Sequence, residues 1–350
     1  MRLEEQLLSR AREALGRLRG VRRPETVDIF ERLGYILPGD LRVRGYGRAP
    51  VAAFNPGALL RGRELWVFPR LVFDYHGYAS SVGFFKLDAE AALSGGLRGP
   101  FEAQLLLWPR ELWEFKGCED ARVSEAGGRL LVLYTGYGHH WRGESLETMW
   151  VQALAELDGG LRVVRRGFFR IAGGGEVLTP RMKDSALLEV GGSGAALLCR
   201  PTLGGLQVCW RGFADLAELT IDASSMQPVL VHEEWETHVG WSTNAVKISS
   251  NEYLVGWHGV LRGDLSYREG LALVSGDGEL LAVSDYLLAP RGPVEEYGDR
   301  PLVIFGDGLA VRGDRLIWVG GVSDYAIGLF AADLDEALER LRWLSGAAGP

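Results

Sequence analysis

The chain is poor in lysine. Only Lys86, Lys116, Lys183 and Lys247 occur among 350 residues, and the net charge is −8 despite many Arg. A surface built to bind nucleic acid needs clustered Lys and Arg, so that class of partner is not expected. Cysteine is scarce too. Cys118, Cys199 and Cys209 are an odd number without CxxC spacing, which argues against a disulfide framework and against a zinc cluster. No apolar run approaches the ~20 residues needed to span a bilayer. The first residues, Met1 to Leu8, are charged and amphipathic rather than a secretory leader. These absences predict a cytoplasmic, soluble protein with no membrane partner. P-loop, GxSxG and HExxH patterns are also missing.

What the chain does have is glycine, 48 residues without a tripeptide period. The glycines fall in turns, as an all-β chain with many hairpins requires. Nearly half the residues are apolar, enough for a large core. Residues 1 to about 20 carry Leu3, Leu7, Leu8, Ala11, Leu15 and Leu18 at helical spacing. That helix is expected to pack on the main body or to join a second copy in a homo-oligomer. Near the other end, Asp333 to Leu344 also has helical spacing, with acids first and Arg last.

Between these ends one phrase recurs five times, at a spacing of roughly sixty residues, within or near the range of repeat architectures. A polar knot precedes an apolar strand, a Gly- or Ser-rich turn and a second apolar strand. The knots are Asn55-Pro56, Glu119-Asp120, Lys183-Asp184, Ser242-Thr243-Asn244 and Gly306-Asp307. A third strand follows in each unit, for example Trp150 to Leu154 and Gly270 to Val274. Short antiparallel strands repeated around an axis make propeller blades. The expected architecture is therefore a five-bladed β-propeller over 51–332, after a helix and lead-in segment at 1–50 and before a C-terminal helix at 333–350. Closure would bring all five knots together.

Several knots carry chemistry. Two adjacent carboxylates and an Arg, Glu119-Asp120-Ala121-Arg122, can split into an ionised group beside the Arg and a less solvated acid, although a solvated surface turn has the same composition. Lys183-Asp184, followed by Arg200-Pro201, can grip sugar hydroxyls or form a solvated pair. His258 ends a strand, with Tyr267 and Arg268 close behind. His, Tyr and Arg can seat a tetrahedral anion without a metal. Adjacent His139 and His140 point to opposite faces of a strand, so no metal site is expected there. Of the aromatic residues near strand ends (Trp66, Tyr75, Tyr78, Tyr134, Tyr137, Trp141, Trp241, Trp257), about half are expected in the core and the rest in a sugar cleft.

Together these motifs resemble glycoside hydrolase family 130, the β-mannoside phosphorylases and related mannosidases. The resemblance runs from Phe54 to about Leu338. It rests on Phe54-Asn55-Pro56, Glu119-Asp120-Ala121-Arg122 with Leu133-Tyr134-Thr135-Gly136, Lys183-Asp184 with Arg200-Pro201, Val255 to Gly259 with Tyr267 to Gly270, and Ser323 to Leu329. It implies inverting chemistry on a β-mannosyl unit, with Asp120 as general acid acting through a sugar hydroxyl. It implies Asn55, Arg70, Glu119, Arg122, Lys183, Asp184 and Asp324 around the sugar, and His258, Tyr267 and Arg268 around phosphate. A small oligosaccharide is the expected partner. No cofactor or metal is implied; inorganic phosphate is the co-substrate of a phosphorylase. The chain departs from the pattern in three places: Ala121 replaces a Pro, Gly240-Trp241-Ser242-Thr243-Asn244 replaces a small, Pro-rich stretch, and an Arg expected near Trp150-Val151 is missing. Arg165 or Arg166 is the expected substitute. A hydrolase would need a base instead, from Glu233, Glu234, Glu236 or Glu269. An arabinanase-like glycosidase, which needs three separated acids, and a non-catalytic sugar-binding propeller are the rival readings.

Overall fold

A computed structural model describes residues 2–344. The expected C-terminal segment 333–350 therefore has its last six residues outside the described range. The fold is almost entirely β. Helix α1, Leu3–Leu18, buries Leu3, Leu7, Ala11 and Ala14. These side chains join Leu197, Trp210, Ile221 and Met226 in one core cluster. The apolar stripe is thus covered within the chain, Arg10 bonds the Ala223 and Met226 carbonyls, and Glu4, Glu5, Arg12, Glu13 and Arg17 are exposed. Strand β1, Glu31–Ile36, follows.

Five antiparallel meanders come next. The first is β2 (Ala52–Arg61), β3 (Glu64–Val72), β4 (Ser80–Asp88) and β5 (Phe101–Leu107). The second is β6 (Gly117–Ala126), β7 (Arg129–Arg142), β8 (Ser145–Leu157) and β9 (Val163–Phe168). The third contains β10 (Arg181–Gly191), β11 (Gly194–Leu203), β12 (Cys209–Asp215) and β13 (Gln227–Leu230). The fourth contains β14 (Glu236–Trp241), β15 (Glu252–Leu261), β16 (Tyr267–Ser275) and β17 (Leu280–Val283). The fifth is β18 (Ile304–Arg312), β19 (Arg315–Val322) and β20 (Ala326–Asp333). Its fourth strand comes from the other end of the chain: β1 pairs antiparallel with β20. The C-terminal helix is Leu334–Glu339, capped by the Asp333 carboxylate, and is shorter than the periodicity predicted. After it, β21 (Arg342–Trp343) extends the fourth unit by pairing with β17.

The large core clusters lie between successive units. Trp66 and Phe68 of unit one meet Val132 and Ala153 of unit two. Leu198 of unit three meets Val255 of unit four, and Leu273 of unit four meets Trp318 of unit five. Ile317 and Val319 of unit five meet Val67 and Phe85 of unit one. The first strands follow the same cyclic order, with β18 packed on β2 and β2 on β6. Strands covered on both faces read as near-continuous apolar runs, which is why Leu130 to Tyr134 and Leu316 to Val319 lack alternation. The three cysteines are buried and free. Among the described residues, no helix is long and apolar enough to cross a membrane.

Candidate active site

Four of the five polar knots are β-bulges. Pairing slips between Phe54 and Gly57, between Glu119 and Arg122, between Lys183 and Ala186, and between Gly306 and Gly308. In the first three the extra residue is left-handed: Asn55 has φ 42°, Asp120 53° and Asp184 56°. Asn and Asp are the side chains that visit this region most readily, so the sequence chooses them where the backbone demands it. A bulge re-aims a side chain, and here it brings Asn55 against Asp120 and Asp184 beside Arg122. Gly321 is also forced: a Cβ there would stand 2.0 Å from Asn55 Oδ1.

At the acid end, Asn55 Nδ2 donates to Asp120 Oδ1 at 3.0 Å. Arg70 forks between two carboxylates, with Nη2 2.9 Å from Glu119 Oε1 and Nη1 3.3 Å from Asp120 Oδ1. Its Nε donates to Ser80 Oγ, which reaches Glu119 Oε1 at 3.3 Å. Burial pushes the Glu119 carboxyl up, and the nearby Arg70 opposes that rise. Asp324, half-buried at φ 51°, is likewise raised by burial against the pull of Arg70 and Arg300.

Arg122 is the buried hub. Its Nε donates to Ser242 O and its Nη1 to Asp120 O, both at 2.8 Å. Nη2 stands 2.7 Å from Asp307 Oδ1 and 3.6 Å from Asp184 Oδ1. Neither contact is aligned as a hydrogen bond, so both are ionic contacts by distance alone. One guanidinium thus ties units two, three, four and five. Burial drives Asp307 well above the usual carboxylate range, against Arg122. Asp184 behaves oppositely. Burial disfavours its charge, but Arg200, then Lys183, His258 and Arg122, hold it below the usual range. Arg200 grips it with Nε at 2.7 Å and Nη2 at 2.6 Å.

A buried polar chain adjoins it. Burial raises Glu269 well above the carboxylate range and drops His258 well below the imidazole range. Ser242 Oγ donates to Glu269 Oε2 at 2.6 Å and stands 3.0 Å from His258 Nδ1. His258 Nε2 lies 3.7 Å from Asp184 Oδ2. Tyr267 stacks on His258 with ring centroids 5.5 Å apart and planes at 19°.

Of these groups, Arg70 and Glu119 line a cavity of about 410 Å³, together with Tyr78, Lys116, Trp150 and Lys183 among others. A larger cavity of about 710 Å³ lies on unit one beside Tyr46 and Trp108. It holds none of the sequence-predicted residues, so the smaller one is the candidate site. Tyr78 and Tyr137 line it, Trp66, Tyr134, Trp241 and Trp257 are core, and Tyr75 and Trp141 are exposed.

Asn55, Arg70, Glu119, Asp120, Arg122, Asp184, Lys183, Asp324, His258 and Tyr267 are all brought to this neighbourhood. Arg268 is not. It bonds Thr26 Oγ1 at 2.8 Å and sits 3.9 Å from Asp264. Side chains alternate along a strand, so with Tyr267 and Glu269 turned inward, Arg268 must turn away. Arg166 and Arg165 do not replace the missing Arg either. Arg166 is paired with buried Glu114 at 3.0 Å, and Arg165 faces Glu156 at 3.5 Å. Three of the four candidate bases serve other ends. Glu236 pairs with Arg22 at 2.6 Å, Glu233 accepts from the amides of Gly20 and Arg22, and Glu269 is held in the chain above. Glu234 is exposed. Sequence reasoning missed Arg300 and His238, both close to Tyr267. Neither falls in a knot or a repeated strand end, and no local pattern marks them.

The model of the family described as beta-1,4-mannooligosaccharide phosphorylase matches residues 20–342. Among solved structures, a beta-1,2-mannobiose phosphorylase from Listeria innocua, bound to beta-1,2-mannobiose, is similar at 17% identity and TM-score 0.67, over 89% of this chain and 98% of that one. A mannose phosphorylase from Leishmania mexicana, in complex with phosphate ion, is similar at 13% identity and TM-score 0.56, over 99% and 98%. A third, from work describing family members that are glycoside hydrolases targeting beta-1,2 mannosidic linkages in Candida mannan, is similar at 14% identity and TM-score 0.60, over 87% and 88%. No curated protein sequence matches. The family match over most of the chain, added to the bulged site, makes this chain a member of glycoside hydrolase family 130, an enzyme of the group that holds the phosphorylases and glycosidases of β-mannosides.

Proposed function

We propose that the enzyme cleaves β-mannosides with inversion, by phosphorolysis, and that its five units close as a five-bladed propeller around the site. The cyclic order of the inter-unit cores supports the closure. Asp120 is the general acid. Its proton passes to a hydroxyl of the bound mannosyl unit, whose own proton goes to the leaving oxygen as the C1–O bond breaks. A phosphate oxygen forms the new bond to C1 from the opposite face, giving α-mannose 1-phosphate and a shortened sugar. Asn55 and Arg70 orient Asp120. Arg122, Asp184, Glu119, Lys183 and Asp324 hold the sugar side, and His258 and Tyr267 face phosphate.

The observation that carries phosphorolysis is the commitment of the candidate bases. An inverting hydrolase must deprotonate water with a carboxylate across from the acid. Glu236 is locked to Arg22 with both side chains 0% exposed, Glu233 caps backbone amides, and Glu269 accepts from Ser242 Oγ and the Gly306 amide. Phosphate is already a nucleophile and needs cations and donors instead. Hydrolysis is the second reading, favoured by the missing Arg near Val151 and by the engagement of Arg165 and Arg166 elsewhere.

The test incubates the enzyme with β-mannosyl oligosaccharides, with and without inorganic phosphate. Mannose 1-phosphate formed only with phosphate is the expected result. Free mannose at equal rates in both tubes overturns it.

A further inference from the structure

A phosphate near neutral pH carries roughly −1.5 to −2 charges, and its seat must supply matching cations. Most cations around the cleft are already neutralised. Arg70 serves Glu119 and Asp120, Arg122 serves Asp307 and Asp184, and Arg200 serves Asp184. His258 and His238 are both kept neutral by burial, the latter down to about 4. They offer hydrogen bonds but no charge.

Arg300 is different. Among the described residues it has no carboxylate partner within ion-pair distance. Its Nη2 donates to the Tyr267 hydroxyl at 3.1 Å, and its guanidinium lies 4.7 Å from the centre of the Tyr267 ring. Tyr267 in turn stacks on His258. The charge of Arg300 reaches both Asp324 and His238, so it stands between the sugar side and the anion side. The backbone beneath it is anchored, because the Arg300 amide donates to Ser323 O at 3.0 Å. The Asp299 carboxylate next door accepts from the Tyr78 hydroxyl at 3.3 Å, which joins this loop to the loop that lines the cleft from unit one. An Arg that gives one nitrogen to a neutral phenol keeps the rest of its fork for a bidentate anion.

We propose that Arg300 is the cation that replaces the Arg missing near Val151, and that with Lys183, His258 and Tyr267 it binds the phosphate co-substrate. This assignment rests on the phosphorolysis reading.

The experiment measures initial rates of wild type, Arg300→Gln and Arg300→Lys on a β-mannosyl disaccharide, varying inorganic phosphate and disaccharide separately. The thermal midpoint of each protein is also read with and without saturating inorganic phosphate. The expected result is a KM for phosphate raised at least ~10-fold in Arg300→Gln, equal to about 1.4 kcal/mol. The KM for disaccharide stays within ~3-fold, Arg300→Lys falls in between, and phosphate no longer stabilises Arg300→Gln. A phosphate-dependent wild type whose Arg300→Gln variant keeps the same phosphate KM and the same stabilisation overturns the assignment alone. A wild type that releases free mannose without phosphate overturns phosphorolysis, and the role of Arg300 with it. If Arg300→Gln does not fold, the Arg300→Lys phosphate KM decides, and an unchanged value counts against the proposal.

Discussion

Replacing Arg122 by Met is the sharpest physical test of the hub. Met keeps an unbranched stem of similar reach but removes the guanidinium. Two buried carbonyls, Ser242 O and Asp120 O, then lose donors at 2.8 Å. Each loss costs about 1–3 kcal/mol. Asp307, 0% exposed, loses its nearby cation. Breaking a buried pair from one side costs about 3–5 kcal/mol in total, and that range is the expected destabilisation here. An unfolding entropy of roughly 2.1 cal/mol/K per residue over 350 residues turns each kcal/mol into about 1.4 °C. The variant should melt about 4–7 °C below wild type at pH 7.5 in matched scans. The deficit depends on pH. Burial already raises Asp307, and removing Arg122 raises it further. A carboxyl with a raised folded-state pKa costs stability above its unfolded pKa and stops costing once acid protonates it. The deficit should therefore shrink as pH falls toward 5. Adding Asp307→Asn to Arg122→Met should recover about 1–2 kcal/mol, because the uncompensated charge is gone. A midpoint within about 2 °C of wild type, or a double variant that is worse than the single, would refute the hub.

Other outcomes follow from the same geometry. Asp120→Asn keeps an oxygen acceptor for Asn55 and Arg70 but no transferable proton. Its kcat should fall about 10²–10⁴-fold on natural linkages, and much less on an aryl mannoside whose leaving group needs no proton; equal losses on both would sink the acid role. Gly321→Ala would place a Cβ 2.0 Å from Asn55 Oδ1. Displacing that partner of Asp120 should cost on the order of 10²-fold in kcat, and an unchanged kcat contradicts the positioning role of Asn55. Glu269→Gln removes a carboxyl whose folded-state pKa is raised by burial. Wild type loses stability as pH climbs from the ordinary carboxylate value toward that raised value, and the variant does not. Its melting point relative to wild type should improve from pH 4 to pH 8, and a flat difference counts against a protonated Glu269.

The knots were legible because a left-handed bulge restricts residue type. Asn55, Asp120 and Asp184 advertise their backbone geometry through chemistry, and the turn after each was marked by Gly or Ser. The acid side of the site could thus be read residue by residue. The cation side could not. Arg268 looked equivalent to Tyr267 in sequence, and only the period-two alternation of β16 separates them. Arg166 looked free until its partner Glu114 came into view, from a short 3₁₀ turn at Leu112–Glu114 that no pattern marks. Arg300 sits in an irregular loop where charge carries no positional signal. The pairing of β1 with β20 was equally hidden, since a strand's partner is decided by tertiary contact rather than by its own residues.

That pairing bears on how the chain comes to be folded. Glu31 sits opposite Ala331, so the contact joins segments at nearly the greatest separation the chain allows. Contacts of that kind form late and slow the search, because the intervening loop entropy must be overcome first. During synthesis β1 emerges early and waits as an open strand edge until the fifth unit leaves the ribosome, the condition in which strands find wrong partners. Refolding from denaturant should accordingly show its slowest structural phase in the fifth unit.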